Sequence, residues 1–272
     1  MLADSSLYLS FFLILLAGFC AGFINAIVGS GTLISFPVLL LLGFPPLTAN
    51  ISSAVGLVAG NIAGAFGYRQ EIKQNLPLIK MLVPSSILGG ATGASLLLVL
   101  PASAFDFVVP SLVVLGLLMV AFGPLIQKRV VARSAARKPA LSSQQAEIGA
   151  LPRGGKRIAI IIIVFLLGIY GGYFGAAQGV LMVGILGAML TISLQSLNAA
   201  KNFLVSFVNM LASIIFICCA GELIDWFVVL AIALGASVGG LVGAKIGRRL
   251  SPALLRGVIL VVGTGALINL LV

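Results

Sequence analysis

Hydrophobic residues follow one another in continuous runs from Ser6 to Val272, without the alternation of apolar and polar positions that a membrane barrel requires. Runs of about 20 residues suffice to cross a hydrocarbon core of roughly 30 Å as helices. The pattern therefore predicts an all-α polytopic membrane protein. In the first half the expected segments are 7–28, 32–43, 48–68, 77–99 and 105–126; in the second they are 158–176, 180–191, 196–220, 226–246 and 253–271. Each half is thus a long helix, a short apolar segment and three long helices. The short segments reach only about 18 Å as helices, too little for a full crossing. They are expected to be half-spans or one arm of a re-entrant hairpin.

The polar segment 127–157 separates a first transmembrane repeat, 1–126, from a second, 158–272. Sliding one half over the other by 148 residues sets Gly31 on Gly179, Leu33 on Leu181, Asn50 on Asn198 and Asn61 on Asn209; at 150 residues, "GGATGA" falls on "GGLVGA". Asparagines are rare in such a chain, and the two keep their 11-residue separation, so an internal duplication is expected.

Charge then sets the orientation. Half of the 16 basic residues lie between Gln127 and Arg157, as in a cytoplasmic loop. Counting back from it places Arg69, Lys73 and Lys80 inside and Asp106 outside. An even number of crossings per repeat puts Lys245, Arg248, Arg249 and Arg256 outside and Glu222 and Asp225 inside, against the positive-inside rule. An odd number reverses both, so the two repeats, each of about five helical segments, are expected to be inverted. The expected location is the inner (plasma) membrane, multi-pass.

Composition narrows the classes. A content of 61% hydrophobic residues and a mean hydropathy of +1.25 exclude an ordinary soluble domain. The net charge of +10 follows loop positions and is not expected to mark a nucleic-acid surface. Only Asp4 precedes the apolar run 7–28, so it lacks the basic segment of a secretory signal and is expected to be the first membrane helix. Cys20, Cys218 and Cys219 lie in apolar segments without ligand spacing, and the chain has no histidine; no metal and no cofactor are expected.

Candidate chemistry gathers at the breaks and on one stripe. "GFINAIVGSGTLISFP" (22–37) and "GGYFGAAQGVLM" (171–182) interrupt the apolar pattern at corresponding places. There Gly29, Ser30 and Gly31, with Gln178 and Gly179, are expected to supply chain breaks and backbone donors for an anion. The next long helix of each half carries Asn50, Ser53 and Asn61, or Asn198, Lys201 and Asn209, at the same spacing, close to whole helical turns. Asn202 widens the second stripe, and Asn50, Ser52, Ser53, Asn198, Lys201 and Asn202 are expected to line the substrate site. Lys201 is the sharpest feature, since a lysine at the bilayer centre costs about 2.5–3.5 kcal/mol on insertion scales. No acidic residue nearby offers itself, which leaves an anionic substrate as the expected partner. Asn25, Asn61 and Asn209 are expected to hold the broken helices together or extend the path.

"GFINAIVGSGTLISFPVLLLLGFPPLTANISS", its second-half echo "GIYGGYFGAAQGVLM…SLNAAKNFLVSFVN" and the polar segment between resemble the sulfite exporter TauE/SafE family, also called the toluene-sulfonate uptake permeases. In the second half the glycine-rich turn is reduced to "AAQG". The resemblance implies transport of small anions, chiefly sulfite, sulfonates and related organosulfur acids, across the bacterial inner membrane, with a direction that differs between members.

The function expected is a secondary transporter of a small organosulfur anion, working by alternating access at a central site between the repeats. The alternative is an anion channel or facilitator for small oxyanions or carboxylates. An intramembrane enzyme calls for a catalytic dyad, a metal site or clustered carboxylates, which the spans lack. No carboxylate or histidine in a span identifies a proton path, so Lys201, the substrate itself, or no proton at all are left open. The partners expected are the anion and the bilayer; a homodimer is compatible with one complete pathway per chain.

Overall fold

A computed structural model describes residues 2–101, 105, 108–123, 152–190, 192–246 and 252–271; most of the expected linker 127–157, together with Asp106, Arg248 and Arg249, lies outside them. Among the described residues every regular element is helical. The order is α1 (Leu2–Ile27), α2 (Thr32–Leu41), α3 (Pro46–Gly67), α4 (Arg69–Gln74), α5 (Leu76–Val99), α6 (Val108–Gly123), α7 (Gly155–Tyr173), α8 (Gln178–Met189), α9 (Leu194–Cys219), a 3-10 turn (Gly221–Leu223), α10 (Trp226–Ile246) and α11 (Pro252–Leu271).

Among the described residues, six of these helices are long and apolar enough to cross a bilayer: Tyr8–Ile27 of α1 and all of α3, α5, α7, α9 and α10. α2 and α8, with 10 and 12 residues, rise only about 15 and 18 Å. Helix starts and stops follow local chemistry. Pro46 opens α3, where its missing N–H would be unpaired in any case. Ser193 caps α9 by accepting a hydrogen bond from the Ser196 N–H at 3.1 Å. The sequence pattern misses α4, whose six residues "RQEIKQ" are too few and too polar to register as a period. Asn75 stops it by donating to the Glu71 carbonyl at 2.8 Å.

The element starts bear on the alignment of the halves. α9 begins at Leu194, 148 residues after α3 at Pro46, and α10 begins at Trp226, 150 residues after α5 at Leu76. α8 begins at Gln178, only 146 residues after α2 at Thr32. The helices beyond the breaks thus start at the offsets of the aligned stripes, whereas the breaks themselves do not superpose residue on residue.

Small residues let backbones approach closely, as in many membrane helix pairs. Gly18 faces Ile232 and Gly22 faces Ala236, while Gly56 also faces Ile232 and Gly60 also faces Ala236. Residue numbers climb together along all three helices, so α1, α3 and α10 run parallel. Likewise Gly89 meets Gly168, Gly93 meets Ile169 and Gly90 meets Val208, and the Ser86 hydroxyl donates to the Leu204 carbonyl at 3.3 Å. Hence α5, α7 and α9 form a second parallel trio.

The trios run in opposite directions. Ala65 and Tyr68 at the end of α3 and Ala244 at the end of α10 cluster with Ile79, Ala199 and Ala200 near the starts of α5 and α9. Each trio therefore takes two helices from one half of the sequence and one from the other, and the halves are interleaved.

Candidate functional site

The two chain breaks meet inside the bundle. The first comprises residues 28–31, with Gly29 in the left-handed region at φ +87°. The second comprises 174–177, where Gly175 (φ +76°) and Ala177 (φ +59°) are both left-handed. At the crossing the Gly179 N–H donates to the Gly29 carbonyl at 3.0 Å. A β-carbon on Gly179 would stand 2.6 Å from Gly29 Cα and 2.8 Å from Lys201 Cδ. Only glycine at both positions admits this approach with the lysine stem beside it.

Lys201 is 1% exposed and is the one charged side chain among the buried described residues. Its Nζ donates to the carbonyls of Asn25 at 2.9 Å and Ala26 at 3.3 Å. The Asn202 side-chain amide donates to the same Ala26 oxygen at 3.1 Å. Both carbonyls belong to the last turn of α1, where helical oxygens lose their intrahelical donors and the helix dipole is negative. The N–H groups of Val28 and Gly29 both turn back to Ile24, leaving Asn25 and Ala26 to α9. The expectation of an anion as the lysine's missing partner is amended accordingly: two of three ammonium N–H groups have protein acceptors, and one is left over.

The other half shows a neutral counterpart. Asn50 Nδ2 donates to the Tyr173 carbonyl, the last of α7, at 3.1 Å. Ser53, which aligns with Lys201, shares a 2.6 Å hydrogen bond with Ser35. Gln178 donates to the Leu167 carbonyl at 3.0 Å, and its side chain lies over Gly171. Asn25 donates to Asn61 and accepts from the Gly31 N–H at 3.3 Å, tying α1, the first break and α3 together. Two of the amides expected to serve an anion, those of Gly31 and Gly179, are thus engaged within the protein.

Several buried polar atoms keep unused capacity: Ser30 Oγ, Asn50 Oδ1, Gln178 Oε1, Tyr173 OH and Asn61 Nδ2 have no hydrogen-bond partner. Buried polar atoms without partners are uncommon and ask for a reason. Ser30 and Gln178 flank the crossing directly, each next in sequence to one of its two glycines. Ser52 points elsewhere, its hydroxyl accepting from the Asp225 N–H at 2.9 Å near the start of α3. Asn198 and Asn209 are half-buried.

Sequence reasoning passed over Ser35, Tyr173 and Tyr170, whose hydroxyl donates to the Ala176 carbonyl inside the second break. The two tyrosines of "GIYGGY" carried the available signal, since a phenol in an apolar span needs a partner.

A family profile described as "Sulfite exporter TauE/SafE" matches residues 14–270. A "Probable membrane transporter protein" of Haemophilus influenzae is 26% identical over 248 residues, covering 90% of this chain and 88% of that protein. "Probable membrane transporter protein ORF9" of Sinorhizobium sp is 25% identical over 260 residues, covering 94% of this chain and 90% of that protein. No solved structure matches the chain significantly. With the match running over nearly the whole chain and six helices fit to span a bilayer, the chain belongs to the sulfite exporter TauE/SafE family and is a multi-pass membrane transporter.

Proposed function

We propose that the chain carries a small organosulfur anion, of the sulfite, sulfonate or sulfoacetate type, across the inner membrane by alternating access at the crossing of its two breaks. The observation that carries this reading is a fully buried lysine at that crossing whose acceptors are neutral carbonyls. A buried ammonium keeps a positive field that an oxyanion can satisfy. The leftover lysine N–H, the Ser30 hydroxyl and the second N–H of the Asn202 amide supply donors to anion oxygens, with Gln178 next to the crossing glycine Gly179. The family name and the names of the two relatives support transport, and the family name points to the sulfur oxyanion.

The sidedness follows from charge. Arg69, Lys73, Lys80 and Lys245 share one end of the bundle, the end where α3 and α10 finish and α5 begins; Glu222 and Asp225 sit at the other. By the positive-inside rule the basic end and the 127–157 linker are cytoplasmic, and the repeats 1–126 and 158–272 are inverted relative to each other. Single cysteines at 221–225 are expected to react with an impermeant maleimide from outside, and cysteines at 247–256 only after permeabilisation. The reverse pattern refutes the topology.

A screen in proteoliposomes tests substrate and mechanism together. Saturable uptake and counterflow of sulfite or a sulfonate, with weaker response to carboxylates and chloride, is the expected result. Single-channel currents, or equal flux for every small anion, favour the channel alternative and sink the carrier. No covalent chemistry is assigned to the site.

A further inference from the structure

We infer that the carbonyl end of α1 is a binding site for a small monovalent cation of the ammonium type, and that Lys201 is its resident, covalently tethered ion. The carbonyls of Asn25 and Ala26 are the negative pole, without intrahelical donors, of a helix that stops inside the bundle. In carriers built on broken helices, such half-helix carbonyls recruit the coupling cation. Here the position is occupied by an ammonium delivered from α9, far along the chain, at N–O distances of 2.9 and 3.3 Å that suit N–H donors. The lysine stem reaches it between Gly29 and Gly179, against which its Cδ is packed. Asn202, next on α9, braces the same Ala26 oxygen.

The other half has no such ion among its described contacts. The matching carbonyl, Tyr173 at the end of α7, receives a neutral amide from Asn50, and the residue aligned with Lys201 is Ser53, which bonds Ser35 instead. One helix end therefore holds a cation and its counterpart does not. With the cation built into the chain, the proposed anion site is charged before any ion arrives from solution, and transport has no obligatory inorganic cation. Only that last step rests on the proposed transport of an anion; occupancy of the carbonyl site does not.

The test uses the full-length protein and Lys201→Ala, which empties the site. In buffers of one common anion and no sulfur substrate, methylammonium is expected to raise the melting temperature of Lys201→Ala by about 5 °C when saturating. Sodium should act more weakly, choline is too bulky to act, and the wild type should not respond. Lys201→Met, which fills the space with an apolar chain, should respond like the wild type. An equal methylammonium effect on wild type and Lys201→Ala overturns the inference, as does failure to recover folded Lys201→Ala in methylammonium as well as in choline. Uptake by the wild type is expected at the same rate in sodium and choline media; loss in choline refutes the built-in cation. If no sulfur anion binds the wild type but methylammonium still stabilises Lys201→Ala, the substrate reading fails and the cation site stands.

Discussion

Lys201→Met is expected to weaken binding of the transported anion at least about 30-fold while leaving a folded protein. Removing one partner of a buried, hydrogen-bonded charge contact costs about 2–5 kcal/mol of binding, and every 1.4 kcal/mol is a factor of about ten. Stability should change far less, because two effects oppose each other. The Asn25 carbonyl loses its donor, at about 1–3 kcal/mol, but a lysine is no longer held in an apolar interior, which relieves about 2.5–3.5 kcal/mol on insertion scales. The Ala26 carbonyl keeps the Asn202 amide. Titration with sulfite and with the best sulfonate from the screen, alongside thermal denaturation in detergent, separates the two quantities. Unchanged affinity in a folded variant removes Lys201 from the site.

The second large effect is expected at the crossing. Gly179→Ala places a methyl 2.6 Å from Gly29 Cα and 2.8 Å from Lys201 Cδ, and Gly29→Ala places one 2.6 Å from Gly179 Cα. Neither backbone can retreat without shifting a helix, and overpacking of this kind costs about 1–3 kcal/mol or more. At Gly29 the left-handed backbone adds about 1–2 kcal/mol for any residue with a β-carbon. Both variants should melt lower and lose transport, because displacing either break also displaces the lysine stem. Gly155→Ala, where an added methyl meets nothing within 4 Å, is the control and should match the wild type. Full transport by Gly179→Ala refutes the tight crossing.

Some of this site is legible in the sequence. Breaks marked by "GSG" and "AAQG", short segments too brief to span, and asparagines repeated at one spacing all follow from periodicity and residue type. So does the oddity of Lys201, because a charge in an apolar run must have a reason. What Lys201 touches is a different matter. Its acceptors are backbone carbonyls, which every residue carries, so no side chain in the sequence marks them. The pairing of Gly29 with Gly179 is hidden in the same way, since glycines abound here and only the packing says which two meet. Ser52 illustrates the opposite error. It adjoins the polar stripe in sequence, yet the 100° step per residue turns it toward Asp225.

The interleaving of the two trios bears on how the chain is made. The glycine face of α1, Gly18 and Gly22, is filled by α10, which begins about 200 residues later. At synthesis rates of roughly 5–20 residues per second, α1 waits about 10–40 s in the membrane for that neighbour. α3 waits as well, since Gly56 and Gly60 rest on the same helix. A nascent first half therefore leaves the ribosome with its small-residue grooves open to lipid or to other chains, and assembly is completed only by the last third of the polypeptide.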